Sequence, residues 1–218
     1  MYLVNKDKIN QSLSAKIVDA RVAQVFNSFK KVLVTSSFGT TSAVLLHLVS
    51  RIKPGCPIYF VDTGYHFDET HAYKQRLTRL LGLNVIELRP DEKAHALTKE
   101  QRLWQEDPDQ CCNINKIGPL QQVKDNYLVW MSGLIGFQNS HRSRLRIINE
   151  KDSMLKCYPL VDWNSALVQE YIDGHGLPQH PLKKRGYHSV GCTHCTIPAI
   201  GREGRWADQT KTECGLHQ

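Results

Sequence analysis

The residues best equipped for chemistry in this chain are its seven cysteines. Cys111 and Cys112 are adjacent, Cys192 and Cys195 follow as Cys-Thr-His-Cys, Cys214 lies close to the C-terminal Gln218, and Cys56 and Cys157 stand alone. An odd count containing one adjacent pair and one Cys-x-x-Cys fits metal or redox chemistry in a reducing compartment better than a disulfide framework. Neighbouring residues on a helix point about 100° apart, so an adjacent pair does not naturally close on one tetrahedral zinc. The pair can instead reach two irons of one cluster, and a pair plus a pair supplies the four thiolates of a 4Fe-4S site. Taken alone, Cys192-x-x-Cys195 is equally a zinc motif. Cys56 and Cys157, in apolar or strand-like settings, read as buried small hydrophobes.

A second kind of chemistry lies in Lys211-Thr212-Glu213-Cys214-Gly215-Leu216-His217. A cysteine this near a chain end is ill placed for core packing and well placed to swing onto a substrate or partner. Gly215 frees the backbone beside it, and Lys211 and His217 bring positive charge that favours thiolate over thiol. Cys214 reads as a nucleophile on a mobile tail, with His217 aiding it or the leaving group. The bland reading is an incidental terminal thiol, and the company of the other motifs separates the two.

These residues need a frame that brings distant stretches together. Val32, Leu33 and Val34 form an apolar run, followed by the polar loop Thr35, Ser36, Ser37, Phe38, Gly39, Thr40, Thr41 and then by a helical pattern from position 43 onwards. The first turn of such a helix presents unpaired N–H groups, and Ser, Thr and Gly let a phosphate approach them. A plain N-cap by Thr41 or Ser42 is the alternative, and no Walker A sequence follows. Ile58, Tyr59, Phe60 and Val61 end in Asp62-Thr63-Gly64-Tyr65-His66-Phe67, with a helical pattern through Leu77, Leu80 and Leu81. Residues 85–88 and 128–131 are further strand candidates. Strands alternating with helices predict an α/β fold, a mainly parallel twisted sheet with helices on both faces. Ligands in such sheets bind at the carboxyl ends of strands, where Ser36, Ser37, Asp62 and Thr63 fall.

The remaining stretches are plainer. An amphipathic helix is expected over 17–26, helix and loop over 90–109, and a helix over 163–172 that stops at Asp173-Gly174. Arg142, Arg144 and Arg146 form an alternating basic row, and the scattered histidines, His66 and His194 among them, read as structural. At 218 residues the chain suits one domain plus a tail. Its 41% apolar and 22% charged content is that of an ordinary soluble protein. No apolar run approaches the roughly 18 residues of a membrane span, and the first residues carry no secretory h-region, so a cytoplasmic protein without a membrane partner is expected. The formal net charge of +7 suits an anionic partner, either nucleic acid or a phosphate-bearing small molecule.

Taken together, the chain resembles the assimilatory sulfonucleotide reductases, which include adenylyl-sulfate and phosphoadenylyl-sulfate reductases. The resemblance rests on Ser36-Ser37-Phe38-Gly39, Asp62-Thr63-Gly64-Tyr65-His66-Phe67, Cys111-Cys112 with Lys116 and Pro119, and Ser132-Gly133-Leu134 with Gln138. It continues through Pro159-Leu160 with Asp162-Trp163, His180-Pro181-Leu182 with Gly186-Tyr187, Gly191-Cys192 to Cys195-Thr196, Gly204-Arg205-Trp206 and the terminal Lys211 to His217 motif. It implies an adenine-nucleotide alpha-hydrolase-like sheet, related to the ATP pyrophosphatase domains, over 1–198, and a mobile tail over 199–218. It also implies a 4Fe-4S cluster on Cys111, Cys112, Cys192 and Cys195, and Cys214 as the nucleophile that attacks the sulfonate sulfur. AMP or its 3'-phosphorylated form then leaves, and thioredoxin or glutaredoxin releases sulfite. A homo-oligomer is compatible with this reading, and no nucleic acid is needed.

The implied substrate contacts are Ser36, Ser37, Phe38, Gly39, Thr40, Asp62, Thr63 and Gly133, with the cations Lys116, Arg202 and Arg205. Relatives carry a basic pair where this chain has Ile135 and Gly136, so that contact is expected from Arg142 or Arg144. The segment between Cys195 and Arg205 is also shorter than in relatives. The cysteine pairs favour adenylyl sulfate as substrate. The Ser36–Thr41 loop looks more like that of the phosphorylated-substrate enzymes, leaving phosphoadenylyl sulfate or dual use as the alternative. Rival classes are a tRNA thiolase on the same sheet, whose Ser-Gly-Gly-x-Asp-Ser loop is missing here, and a zinc-stabilised nucleic-acid-binding module.

Overall fold

A computed structural model describes residues 5–152 and 154–216. Two helices, α1 (Lys6–Ser14) and α2 (Val18–Ser28), precede strand β1 (Val32–Thr35); helix α3 (Ser42–Ile52), strand β2 (Pro57–Val61), helix α4 (Asp68–Leu81) and strand β3 (Asn84–Leu88) follow. Short helices α5 (Glu92–Glu100), α6 (Leu103–Glu106), α7 (Pro108–Cys112) and α8 (Gly118–Lys124) lead to strands β4 (Val129–Ser132), β5 (Ile148–Lys151) and β6 (Met154–Cys157), and then to helix α9 (Ser165–Gly174). The six strands form one sheet in the order β3-β2-β1-β4-β6-β5. All pairs are parallel except β5 with β6.

The order follows from apolar content. β4 is buried along its whole length and β1 along all but its last residue, as a central parallel strand covered on both faces must be. The peripheral β3 has no fully buried residue. After β1 the chain runs outward through β2 and β3, then returns to place β4 on the other side of β1. That reversal opens a crevice at the carboxyl ends of β1 and β4, the usual ligand position in doubly wound sheets. α3, with Ala43, Val44, Leu45, Leu46, Leu48 and Val49 buried, packs its start beside that crevice.

Some expected boundaries move. The hairpin β5–β6 has no apolar alternation in Asn149-Glu150-Lys151 to announce it, and it turns at Asp152 with φ +52°. β5 is held as a sheet edge by Asn10 of α1, whose amide donates to Ile148 O and accepts from Ile148 N, both at 2.9 Å. α9 is capped by Asn164, which accepts from Leu167 N, and runs through Gly174; the left-handed stop is Gly176 at φ +58° rather than Gly174. Cys157 is fully buried as expected, but Cys56 is half-buried. Among the described residues no helix is long and apolar enough to cross a membrane.

The C-terminal segment, expected to be a mobile tail, is docked in this structure. Glu213 is 1% exposed. Lys156 Nζ donates to Leu216 O at 3.2 Å, and Gln209 Nε2 donates to Trp104 O at 3.1 Å. Gly215 passes so close to Ile117 that a Cβ there would lie 2.6 Å from its Cδ1, so a side chain at this position would have to displace the end of Ile117. Burial of apolar and charged tail groups against the body supplies what the sequence-based expectation left out.

Candidate active site

The crevice between β1 and β4 is a cavity of about 180 Å³. Its floor is the hydroxyl-rich turn after β1, where Ser36, Ser37, Gly39, Thr40 and Thr41 line the space at the start of α3. Thr41 occupies the N-cap position of α3 but its hydroxyl makes no capping bond. The plain N-cap alternative therefore gives way to a turn closed by backbone bonds, with Ser42 N donating to Gly39 O at 3.1 Å and Val44 N to Thr41 O at 3.3 Å, which leaves the Ser and Thr hydroxyls to face the cavity. Thr63 after β2, Ser132 at the end of β4 and Gly133 just beyond it complete the rim.

Two expected contacts fall elsewhere. Phe38 lies in the left-handed region at φ +49° and is fully buried, its ring edge-on to Phe60 at 5.5 Å, so it anchors the loop from the core side. Asp62 does not line the cavity either; its carboxylate accepts from Gly64 N at 3.1 Å and faces Arg89 at 3.5 Å, fixing the turn after β2. Of the basic row, Arg142 lines the cavity and is buried, Arg144 is exposed, and Arg146 pairs with Asp7. Ile135 is a core residue, and a Cβ on Gly136 would meet Val161 O at 2.6 Å, so neither has room for a basic side chain.

Four cations, Lys116, Arg142, Arg202 and Arg205, face the cavity. Arg205 lies over the Trp206 ring at 4.5 Å, and its guanidinium occupies the space a side chain on Gly191 would take. Burial, then Arg142 beside it, pulls the Arg202 pKa down to about 9, with Glu213 acting in the opposite direction, so the guanidinium keeps its charge at neutral pH. Cys214 lines the same cavity and also packs against the cysteine cluster described below. His217, expected to aid it, lies outside the described residues.

Two further residues take part in the site: His66, whose sequence setting reads as structural, and Ser132, which has no expected role of its own. His66 Nε2 donates to Val61 O at 3.1 Å, since a carbonyl can only accept, which leaves Nδ1 as an acceptor. Burial lowers its pKa to about 4, so the ring is neutral. His66 Nδ1, Ser132 Oγ and Arg202 Nε are buried without a partner, and all three residues line the cavity. Buried polar groups of this kind are ordinarily satisfied, so the three orphans point to a polar ligand. The sequence signals for Ser132 are its strand-end position and its place in the Ser132-Gly133-Leu134 motif.

Cys111, Cys112, Cys192 and Cys195 are all free and buried, and they line one small cavity walled by Tyr65, Trp104 and His194. His194 stacks on Trp104 at 4.0 Å and so serves as wall rather than ligand. The first pair ends α7, which Asp107 caps and Pro108 opens. A π-type turn, Asn113–Ile117, then carries Asn115 and Lys116 one turn on, onto the sulfurs. Asn115 Nδ2 donates to Cys111 Sγ and Lys116 Nζ to Cys112 Sγ, both at 3.6 Å. Thr63 Oγ1 lies 3.4 Å from Cys192 Sγ, and the His66–Cys192 bridge ties the two loops.

The four thiols around one small cavity are the set that a cluster with one ligand per iron would take. Burial pushes the Cys111 thiol up to about 12 and Cys195 to about 11, with neighbouring thiols adding to both shifts, so these two favour the thiol unless positive charge is brought to them. Trp206 Nε1, packed among the same cysteines, is buried without a partner and is available to donate to a bound group.

Residues 31–198 match the phosphoadenosine phosphosulfate reductase domain model. A protein of Bacillus cereus (strain Q1) named adenosine 5'-phosphosulfate reductase is 37% identical over 97% of this chain and 92% of its own. A protein of the same name from Halalkalibacterium halodurans is 37% identical over 99% and 97%. Among solved structures, phosphoadenylyl-sulfate reductase from Candida auris superposes with a TM-score of 0.78 at 24% identity, covering 90% of this chain and 99% of its own. FMN adenylyltransferase from Candida glabrata superposes at 0.55 and 19% identity, over 77% and 57%. These two likenesses concern the fold, a nucleotide alpha-hydrolase-like sheet.

Proposed function

The chain belongs to the phosphoadenosine phosphosulfate reductase family, and from that membership we propose that it reduces adenosine 5'-phosphosulfate to sulfite and AMP through a sulfonated Cys214. The observation that carries the proposal is that Cys214, the hydroxyl-rich turn and the four cations line one cavity. The turn at the start of α3, with Thr63 and Gly133, receives the nucleotide. Lys116, Arg142, Arg202 and Arg205 receive the phosphosulfate and offset the charge that would otherwise repel an incoming thiolate.

The chemistry balances in two steps. Cys214 Sγ attacks the sulfonate sulfur, a sulfur–sulfur bond forms, and the bond from that sulfur to the bridging oxygen breaks, its electron pair leaving with AMP. A dithiol partner of the thioredoxin or glutaredoxin type then attacks Cys214 Sγ, expelling sulfite. Its second thiol closes a disulfide, so the partner loses the two electrons that the substrate sulfur gains, and the Cys214 thiolate is restored. Residues 199–218 act as the unit that carries Cys214 between the two reactants.

Cys111, Cys112, Cys192 and Cys195 would hold a 4Fe-4S cluster. Bound there, the cluster would supply local polarisation and a fixed seat for Lys116 rather than electrons. Around it, Thr63, Asn115 and Lys116 stand beside the sulfurs, and Trp206 Nε1 would be available to donate to it.

Sulfite release by anaerobically purified protein with thioredoxin tests the reading, with adenosine 5'-phosphosulfate and its 3'-phosphorylated form offered in parallel and Cys214→Ser beside the parent. Activity on the first substrate is expected. Activity on the second alone would reassign the substrate to the form that the Ser36–Thr41 turn resembles. No sulfite from either, with the variant equal to the parent, would remove Cys214 from its role. Broad brown absorption near about 400 nm distinguishes iron–sulfur from colourless zinc occupancy of the four thiols.

A further inference from the structure

Glu213 directly precedes the nucleophile, and an acidic residue there is unexpected on electrostatic grounds. Its negative charge opposes both an anionic substrate and the formation of a thiolate next door. It is nevertheless 1% exposed. A buried carboxylate persists only with strong partners. Glu213 accepts from Arg142 Nε at 2.5 Å and Nη2 at 2.9 Å, from Arg202 Nη2 at 3.0 Å and from Asn139 Nδ2 at 2.8 Å. The loop after β4 is organised toward it, with Asn139 Oδ1 accepting from Arg142 N at 2.8 Å.

We propose that Glu213 is the latch that docks the tail, seating Cys214 in the cavity through the Arg142 guanidinium and the Asn139 amide of the body while Arg202 braces it from within residues 199–218, and that release of this latch frees the tail for the reductant. The inference rests on the functional reading above and assigns the residue that switches Cys214 between its two reactants. Glu213 is a positioning residue, since it acts on the substrate only through Cys214 and the arginines. A second ion pair of the tail, Lys211 with Asp109, has its carboxylate 79% exposed and holds weakly. The Glu213 pairs are buried on both sides, with side chains 10% exposed or less. Arg142 also lines the cavity, as does Arg202 on the tail itself, so the body cation that holds the tail is one that senses whether the site is filled.

The test compares Glu213→Ala, Glu213→Gln and the parent holoprotein in two readouts. The first is substrate-free: the rate of Cys214 alkylation by iodoacetamide, followed by peptide mass spectrometry, with half-buried Cys56 as internal control. Loss of hydrogen bonds to a charged group predicts alkylation of Cys214 faster by at least about tenfold in Glu213→Ala, with Glu213→Gln between it and the parent and Cys56 unchanged. The second is single-turnover: sulfonation of Cys214 by adenosine 5'-phosphosulfate slows by a similar factor, while thioredoxin releases sulfite from the already sulfonated variant at the parent rate or faster. Alkylation equal to the parent in both variants overturns the latch. A uniform loss in both half-reactions also overturns it, as damage to the fold. Should Glu213→Ala not fold, Glu213→Gln alone carries the comparison. A parent that is never sulfonated refutes the functional reading while leaving the alkylation result to decide the docking role.

Discussion

Lys116 Nζ lies 3.6 Å from Cys112 Sγ and lines the cavity that Cys214 enters, so one ammonium faces the cysteine cluster and the substrate site together. It is 9% exposed. Burial works against its charge, but the sulfurs of Cys192, Cys112 and Cys214 outweigh that effect and raise its pKa. Lys116→Met keeps the volume and removes the charge. The expected outcome is a fall in the single-turnover sulfonation rate of Cys214 by roughly 10²- to 10³-fold, the range for removing one preorganised electrostatic contact. The visible absorption of a cluster bound to the four thiols should match that of the parent. Sulfonation within a few-fold of the parent would leave Lys116 with a packing role only.

Gly191 gives a prediction that separates binding from stability. A Cβ there would lie 2.2 Å from Arg205 Nη2, the far end of a flexible side chain that can move away. Gly191→Ala should therefore fold with a melting temperature near that of the parent while displacing one of the four cations. KM for the sulfonucleotide is expected to rise about tenfold, the equivalent of one charge-assisted hydrogen bond. Unchanged KM would place Arg205 outside the substrate contacts.

Asn115 is a support for the cysteine site. It is 1% exposed, donates to Cys111 O at 2.9 Å and to Cys111 Sγ, and accepts at Oδ1 from His95 Nδ1 at 2.7 Å. Outer-sphere partners of this type typically change metal-site affinity about 10- to 100-fold. Asn115→Leu is expected to lose iron and its visible absorption faster than the parent under a chelator or air, by about that factor. Bleaching at the parent rate would confine Asn115 to holding the π-type turn.

What could be read from sequence was the part set by local pattern. The apolar runs placed β1, β2, β3 and β4 to within a residue or so, and the hydroxyl-rich turn was recognisable because strand, Ser/Thr/Gly loop and helix are contiguous. The cysteine pairs were visible as types and spacing. Side-chain direction was not visible. Phe38 and Ser37 are neighbours, yet a left-handed backbone at Phe38 turns one inward to Phe60 and leaves the other on the cavity. Arg142 and Arg144 share a basic row, but only the structure shows Arg142 buried by Glu213, a contact between residues 71 apart in sequence. Docking of the tail depends on such long-range pairs, and no periodicity reports them.

The Glu213 cluster also carries a signed pH dependence. Burial alone would raise the Glu213 carboxyl, but the Arg142 hydrogen bonds, the Arg142 and Arg202 charges and the Asn139 donor overcome it and lower its pKa from 4.5 to about 2. A folded-state pKa below the unfolded one means that the unfolded chain takes up the proton first. The stabilisation is thus complete above about pH 4.5 and is lost as pH falls toward about 2. A shift of that size corresponds to about 3 kcal/mol at most, since each unit is worth about 1.4 kcal/mol. Thermal unfolding of the parent and of Glu213→Gln, compared at each pH, cancels the contribution of every other carboxylate. The difference in midpoint should be constant between about pH 7 and 5 and close progressively below about 4.5. A gap that stays the same down to pH 3 would mean that the ionised carboxylate does not hold the tail, and that shape and hydrogen bonding at position 213 suffice.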